Sequence, residues 1–409
     1  MSKKASKLKR TLGLADVTLF GVGAIVGAGI YAIIGEAAGL AGNLLWLSFL
    51  LAALVALLTG LAYAEFVSRF PDAGGSFEYV SQSFNRRTAL LLSAIMLFTG
   101  IVAPAAIAIS FSDYLARFWD IPDWIATIGI IALMGGINVV GAQESSWFNI
   151  VATIITLLGL GAIVWFAIPE WGSSDLLELP GNGFTGVLSG AALIFFSYVG
   201  FEDLVKMAEE VKRPEVTMPR GIVISGLIVL VFYVLIAISA VSVLKPSELA
   251  DSRGPLAQVL QSVAGKAWVT ALIVVALFAT SKTILSNILG ASRLLYDIAR
   301  DSGFKWLSRL TSVDEERGTP AFAIIVVSAL VVLFSLIGNL KVVASLSNIF
   351  VFSLFILVNV ALLHYRKRHD RGQKPPFRVP LNVANIPIPT LVALVGLLIL
   401  LGFNIYNLV

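Results

Sequence analysis

The 409-residue chain has no cysteine and only two histidines, His364 and His369. Without thiols there is no disulfide, no thiolate metal site and no cysteine nucleophile. Both histidines fall in one basic stretch, so a histidine-built metal centre is excluded too, and no cofactor is expected. Charge is equally scarce. Only 13% of residues are Asp, Glu, Lys or Arg, against roughly 25% in a soluble domain, whose surface water must cover. Hydrophobic residues make up 58%, and the mean hydropathy is +0.91. These scarcities exclude a soluble enzyme, a disordered chain and a nucleic-acid-binding surface, in spite of a net charge of +4. A membrane-embedded enzyme would need clustered acids, histidine or cysteine inside its apolar segments, and these are missing. The solvent of this chain is lipid.

What is present is a series of long apolar runs. A transmembrane helix needs about 20 mostly apolar residues. Eleven stretches qualify: roughly 14–35, 43–68, 88–112, 124–141, 146–168, 184–205, 221–244, 267–299, 320–337, 341–363 and 386–409. They leave only short loops, so the chain reads as one transmembrane domain over 1–409. The basic start, Lys3 to Arg10, reads as a cytoplasmic tail before an uncleaved first span. With the N-terminus inside, only Arg117, Lys245, Arg253, Lys266 and Lys341 fall on the outer side. The outer loops are acidic instead, with Asp113, Asp120, Asp123, Glu170, Asp175, Glu178, Glu248 and Asp251. Of the remaining basic residues all but Lys282 lie in inner segments, as the positive-inside rule requires. The expected location is a cell membrane, with the C-terminus extracytoplasmic after eleven spans.

Two spans look broken. The first contains Gly21-Val22-Gly23-Ala24-Ile25-Val26-Gly27-Ala28-Gly29. Each glycine weakens a helix by about 1 kcal/mol relative to alanine, and unpaired backbone at membrane depth survives only where protein or a watery cavity satisfies it. The stretch is expected to unwind and line a site, with freed N–H groups and a half-helix dipole suited to a carboxylate. Close helix packing through small residues is the plain alternative. The sixth span reads Phe195-Phe196-Ser197-Tyr198-Val199-Gly200-Phe201-Glu202-Asp203. Breaks five spans apart point to an inverted repeat, about 14–168 and 184–363, with an extra span at 386–409 and substrate at the midplane.

The glycine stretch with Ile30-Tyr31 resembles the first-helix signature of the amino acid–polyamine–organocation superfamily. So do Tyr63-Ala64-Glu65-Phe66 running to Phe70-Pro71-Asp72-Ala73-Gly74-Gly75-Ser76, Phe196 to Asp203 with Glu209 to Glu215, Met218-Pro219-Arg220, Ala291-Ser292-Arg293, Ala299-Arg300-Asp301, and Pro376 to Pro380. The matches run in order over nearly the whole chain. The resemblance implies an all-α integral membrane protein with a five-plus-five inverted-repeat transporter fold, discontinuous first and sixth helices, and alternating access. The family pattern has twelve spans where eleven are found here. It implies that an amino acid carboxylate meets the N–H groups of Val26, Gly27, Ala28 and Gly29, and that carbonyls near Val22 and Phe195 receive the ammonium. Phe196 matches an aromatic lid, which on its own would read as ordinary packing.

Many proton-coupled members carry a lysine in the fifth span; here Asn149 and Thr153 are followed by Thr156. Lys282 stands instead in the eighth. Ala279, Lys282, Thr283, Ser286 and Gly290 share one helical face. In sodium-coupled transporters of this fold, first-span carbonyls and an Ala-x-x-Thr-Ser face hold the cation. By that resemblance Lys282 would place its ammonium against the carbonyls of Gly23 and Val26, with Thr156 across the gap. An ionisable group at the bilayer centre marks function by default, because removal from water disfavours its charged form. Two readings stand: proton coupling through Lys282, or a fixed charge in place of sodium that gives exchange or facilitated transport.

The expected pocket walls are Ile101 to Ala105 on the third span, Phe195 to Val199 including Ser197 and Val199, and Asn348 with Phe350 on the tenth. None is acidic, and a second cationic group would need a carboxylate at this depth. Neutral L-amino acids are therefore the expected substrate, with small amines such as ethanolamine, or polyamines, as the alternative. Glu202 and Asp203 read as gating residues or as loop partners of Lys206. A channel or an amino acid receptor are the competing classes. Expected partners are the amino acid, protons and the lipid bilayer.

Overall fold

The structure is a computed structural model that describes residues 10–71, 75–141, 146–302, 305–313, 319–369 and 375–408. The basic tail up to Lys9, Asp72 to Gly74, Arg317, Arg371, Lys374 and the side chains of Asn149, Lys305 and His369 lie outside what is described.

In chain order the helices are α1 (Leu14–Ile25), α2 (Gly29–Ala41), α3 (Leu45–Arg69), α4 (Ser76–Ser83), α5 (Arg86–Leu115), α6 (Asp123–Val140), α7 (Ser146–Ala167), α8 (Phe184–Ile194) and α9 (Phe201–Leu204). They continue as α10 (Pro214–Val243), α11 (Pro246–Ala250), α12 (Pro255–Val263), α13 (Lys266–Ser302), α14 (Ala321–Ser335) and α15 (Leu340–His369). A two-residue hairpin, β1 (Asn382–Val383) and β2 (Ile386–Pro387), precedes α16 (Ile388–Tyr406). Every one of the eleven apolar stretches falls on helix. Nine helical runs among the described residues are long and apolar enough to span a membrane, and Leu14–Ile25 and Ala321–Ser335 are shorter apolar helices. The count differs from eleven because α2, the second half of the split first span, runs into α3 with only a 3-10 turn, Gly42–Leu44, between them, and because α14 has only 15 residues.

Local chemistry sets the ends. Asn85 accepts a hydrogen bond from the Thr88 N–H at 3.0 Å and so caps α5. Prolines open α10, α11 and α12, where a missing N–H loses nothing. Apolar side chains face outward all round. Leu158 is 68% exposed and Val140 67%, a surface that water would not tolerate and lipid does.

The helices pack in two sets. α1 lies on α10, α7 and α9, while α2 lies on α8 and α11, and α3 packs along α10 and α8. In the other set α5 is the centre, packed by α13, α15, α14 and α6. The start of the chain is tied to the segment after α9 by backbone alone. Thr11 and Leu12 N–H donate to the Glu210 carbonyl at 2.9 and 3.1 Å, and Lys212 N–H donates to the Leu12 carbonyl at 2.9 Å.

At the end of α3 sits a buried ion cluster. Glu65 is fully buried. Its carboxylate accepts from Arg69 Nε and Nη2 at 3.0 and 2.7 Å, from Arg366 Nε at 2.9 Å and from Val379 N–H at 2.9 Å. A second contact pairs Arg366 Nη2 with Glu65 Oε2. Arg366 also meets Asn382, and the Asn385 amide returns a bond to the Arg366 carbonyl at 3.2 Å. One carboxylate thus joins α3, α15 and the segment at Val379, and Arg366 carries the link on to the hairpin before α16. A buried pair stripped of one member leaves an uncompensated charge, costing about 3–5 kcal/mol. Glu65→Gln is therefore expected to lower the thermal unfolding midpoint of the detergent-purified protein clearly. Glu78→Gln, at an exposed bond to Gln82, should shift stability by no more than about 0.5 kcal/mol. Equal midpoints for the two variants would refute this.

Candidate functional site

Both glycine-bearing spans are interrupted. α1 stops at Ile25, and α2 begins at Gly29 after Val26, Gly27 and Ala28. α8 stops at Ile194 and passes through a 3-10 turn, Phe195–Tyr198, then extended Val199 and Gly200, before α9. The two interruptions touch. Gly200 has φ of +130°, and a Cβ there would lie 2.4 Å from the Ala24 carbonyl oxygen; no other residue takes that backbone at that distance. A Cβ on Gly29 would lie 2.8 Å from the Ser197 Cα.

Each break must find partners for its freed backbone groups. The fully buried Tyr233 of α10 supplies one hydroxyl to both, shared between the Ile25 carbonyl at 3.1 Å and the Ser197 carbonyl at 3.3 Å. Asn348 of α15 donates its amide to the Ala192 and Leu193 carbonyls at 2.9 and 3.2 Å, closing the last turn of α8. Tyr198 donates to the Phe49 carbonyl at 3.1 Å. Glu202 accepts the Gly200 N–H at 2.8 Å, and Asp203 pairs with Lys206.

The first break is tighter than the glycine pattern suggests. Val26 N–H donates to the Val22 carbonyl at 2.7 Å, and Gly27 N–H to the Ile25 carbonyl at 2.8 Å. Of the four expected carboxylate donors, Val26 and Gly27 are thus engaged within the break. Ala28 and Gly29 head α2 together with Ile30 and Tyr31, and helix starts leave such N–H groups without carbonyls one turn back. Their alignment with the α2 dipole favours a negative charge. Ser197 Oγ and Asn348 Oδ1 are buried without a hydrogen-bond partner among the described residues, an arrangement that native proteins rarely leave unfilled.

The other expected residues are placed as follows. Ile101 is 1% exposed on α5, and Phe196 6%. Phe195 is fully buried and packs on Phe352, ring centres 4.7 Å apart, so only its backbone faces the break. On α13, Ala279 is buried, Lys282 and Thr283 are half-buried, and Ser286 and Gly290 are exposed, so the small polar face is buried at one end only. Thr283 borders Gly27, where a Cβ would be 3.2 Å from its hydroxyl. Across the break the neighbour of Gly23 is Thr153, whose hydroxyl a Cβ would meet at 2.1 Å. Thr156 lies one turn further on and donates to the Ala152 carbonyl at 2.9 Å. Thr283 likewise donates to the Ala279 carbonyl at 2.8 Å, which leaves both hydroxyl oxygens as acceptors.

Tyr233 and Thr153 are the residues that sequence reasoning missed. A tyrosine in a helix as apolar as α10 carried a signal, since a buried phenol seeks a partner.

Helices broken in mid-span, meeting each other and edged by unfilled donors and acceptors, define a membrane transporter rather than an enzyme. The profile of the amino acid permease family matches residues 12–409, and the chain belongs to that family, within the amino acid–polyamine–organocation superfamily. Curated relatives include the branched-chain amino acid permease BcaP of Bacillus subtilis, 28% identical over 387 residues, covering 88% of this chain and 82% of that protein. Cationic amino acid transporter 1 of Arabidopsis thaliana is 29% identical over 88% of this chain and 64% of its own length. Cationic amino acid transporter 4 of Mus musculus is 28% identical over 90% and 61%. The chain thus spans less than two thirds of these plant and mouse relatives.

Tyr233→Phe removes the shared donor and leaves two buried carbonyls unpaired, at about 1–3 kcal/mol for a buried unsatisfied group. The expected result is a modest fall in thermal midpoint with at least a tenfold loss of amino acid uptake in proteoliposomes. Uptake at the wild-type rate would show that the bridge is dispensable.

Proposed function

We propose that this chain is a secondary transporter of neutral L-amino acids, working by alternating access around the two helix breaks. The observation that carries the reading is the opposed chemistry at the breaks. The N–H groups that a helix start leaves without carbonyls one turn back open α2 on one side, and oxygens that include the unpartnered Ser197 Oγ and Asn348 Oδ1 stand on the other. A zwitterion presents the complementary pair, a carboxylate for the donors and an ammonium for the acceptors. In this reading the ammonium sits toward Val22 and the Phe195 carbonyl, Val199 and Ile101 shape the side-chain pocket, and Phe196 closes over it. The two halves, about 14–168 and 184–363, form an inverted repeat, with the N-terminus in the cytoplasm of a cell membrane.

The relatives' names point two ways, to branched-chain and to cationic amino acids. Neutrality is favoured because the carboxylate nearest the breaks, Glu202, is committed to the Gly200 N–H. A cationic side chain would find no open acid there. Ethanolamine or a polyamine lacks the carboxylate that the α2 N–H groups would hold, so competition by neutral amino acids separates these substrates.

For coupling, Lys282 stands beside Thr283, which borders the first break, and its ammonium takes the place of a transported cation against the carbonyls near Gly23 and Val26. Proton loss and return at this amine would then drive opening and closing. The test is uptake of a panel of neutral amino acids into liposomes under an imposed inward proton gradient. Wild type is expected to concentrate its substrate, and Lys282→Met to lose the pH-driven accumulation while keeping exchange. pH-driven accumulation unchanged in Lys282→Met would overturn coupling through this residue and leave the fixed-charge exchanger. Failure of wild type to move any neutral amino acid would overturn the substrate class.

A further inference from the structure

A cavity of about 640 Å³ opens where the first two turns of α2 and the C-terminal end of α5 meet the start of α6 and the loops around residues 250–255 and 335–340. Tyr31 and Ala32, in the first turn of α2, line its inner end, whereas residues 22–29 and 195–199 do not. We propose that it is a second binding site, for an organic ammonium ion. This goes beyond the neutral amino acid reading and does not depend on it.

The lining is acidic, with Glu36, Asp113, Asp123 and Asp251 against a single cation, Arg253. Arg253 is already held: its guanidinium forks onto the Asp123 carboxylate at 3.1 and 3.0 Å. Glu36 and Asp113 make no hydrogen bond or ion pair among the described residues. They lie close enough for their charges, with those of Asp123 and Arg253, to act on one another, and Lys341 is the cation that acts on Glu36. Two carboxylates are thus left facing the same space.

The second observation concerns hydroxyls. Ser and Thr in apolar helices usually donate back to a carbonyl three or four residues earlier, as Ser93, Thr280 and Thr283 do here. Ser110 and Thr127 do not. They are 1% and 5% exposed and line the cavity, and their hydroxyls have no hydrogen-bond partner among the described residues. Carboxylates and hydroxyl oxygens converge as acceptors, and an ammonium brings three donors and no acceptor. The ring of Trp124, also in the lining, offers a face that attracts a cation.

The same residues exclude other ligands. With Arg253 taken by Asp123, an amino acid carboxylate finds no open cation in the cavity. Among the described residues no three acids come close enough to chelate a metal ion. The volume lies within the roughly 300–1,000 Å³ of small-molecule sites, far larger than a bare ion needs.

The probe is cadaverine, a diamine without a carboxylate, titrated calorimetrically into the full chain in lipid nanodiscs. Saturable binding is expected. It should weaken at least tenfold in Asp113→Asn and in Glu36→Gln, stay unchanged in Lys282→Met, and persist in the presence of neutral amino acids. The thermal midpoint of Asp113→Asn reports that the variant is folded. No saturable binding to wild type, or binding indifferent to both substitutions, would overturn the site. Displacement by neutral amino acids would move the ligand to the helix breaks, and displacement by equimolar sodium would make this a plain inorganic cation site; either overturns the assignment. Uptake of neutral amino acids is read separately, so failure of the transport reading is distinguishable.

Discussion

The constraint on which the rest of this structure depends is that lipid offers no hydrogen bonds. A backbone group freed inside a bilayer has to be answered by protein, water or ligand. Two helices of this chain are nonetheless broken in mid-span, and the molecule is organised around answering them. Tyr233 answers one carbonyl from each break, Asn348 answers two at the end of α8, and Gly200 lets the two broken segments lie against each other. What protein does not answer, the head of α2 and the buried Ser197 Oγ and Asn348 Oδ1, is the portion that the proposed function gives to cargo.

The same constraint explains why so few polar residues are spread through the spans and why nearly all have work. Glu65 joins three elements through two arginines and a backbone N–H. Thr153 and Thr283 flank the first break from opposite sides, one against Gly23 and the other against Gly27. In the proposed function, opposed chemistry at helix ends, rather than charged side chains, carries the recognition, which suits a ligand that is neutral overall and charged at both ends.

Much of the fold was legible in the sequence. Apolar run length reported the spans, glycine density reported the first break, and the polar centre around Gly200 reported the second, because lipid makes hydrophobicity and helix propensity nearly sufficient at that scale. Finer features were not legible. The glycines marked where α1 unwinds but not how tightly, so Val26 and Gly27 turned out to bond within the break. Asn348 was expected on a pocket wall, and its amide is spent on α8 carbonyls, since helix-end partners are chosen by three-dimensional proximity. Thr153 rather than Thr156 borders Gly23, a difference of one turn that rotational phase alone decides. The acidic cavity was invisible because residues 36, 113, 123 and 251 are brought together only by packing.

The backbone clasp between Thr11-Leu12 and Glu210-Lys212 has a mechanical meaning. It rivets the leading edge of α1 to the trailing edge of the segment after α9, so the two interrupted helices share a selvedge. A rivet made of peptide groups carries no net charge, so neither ionic strength nor acidity loosens it. Side-chain replacement leaves it intact as well. Only proline, at 11, 12 or 212, would remove one of its three hydrogen bonds.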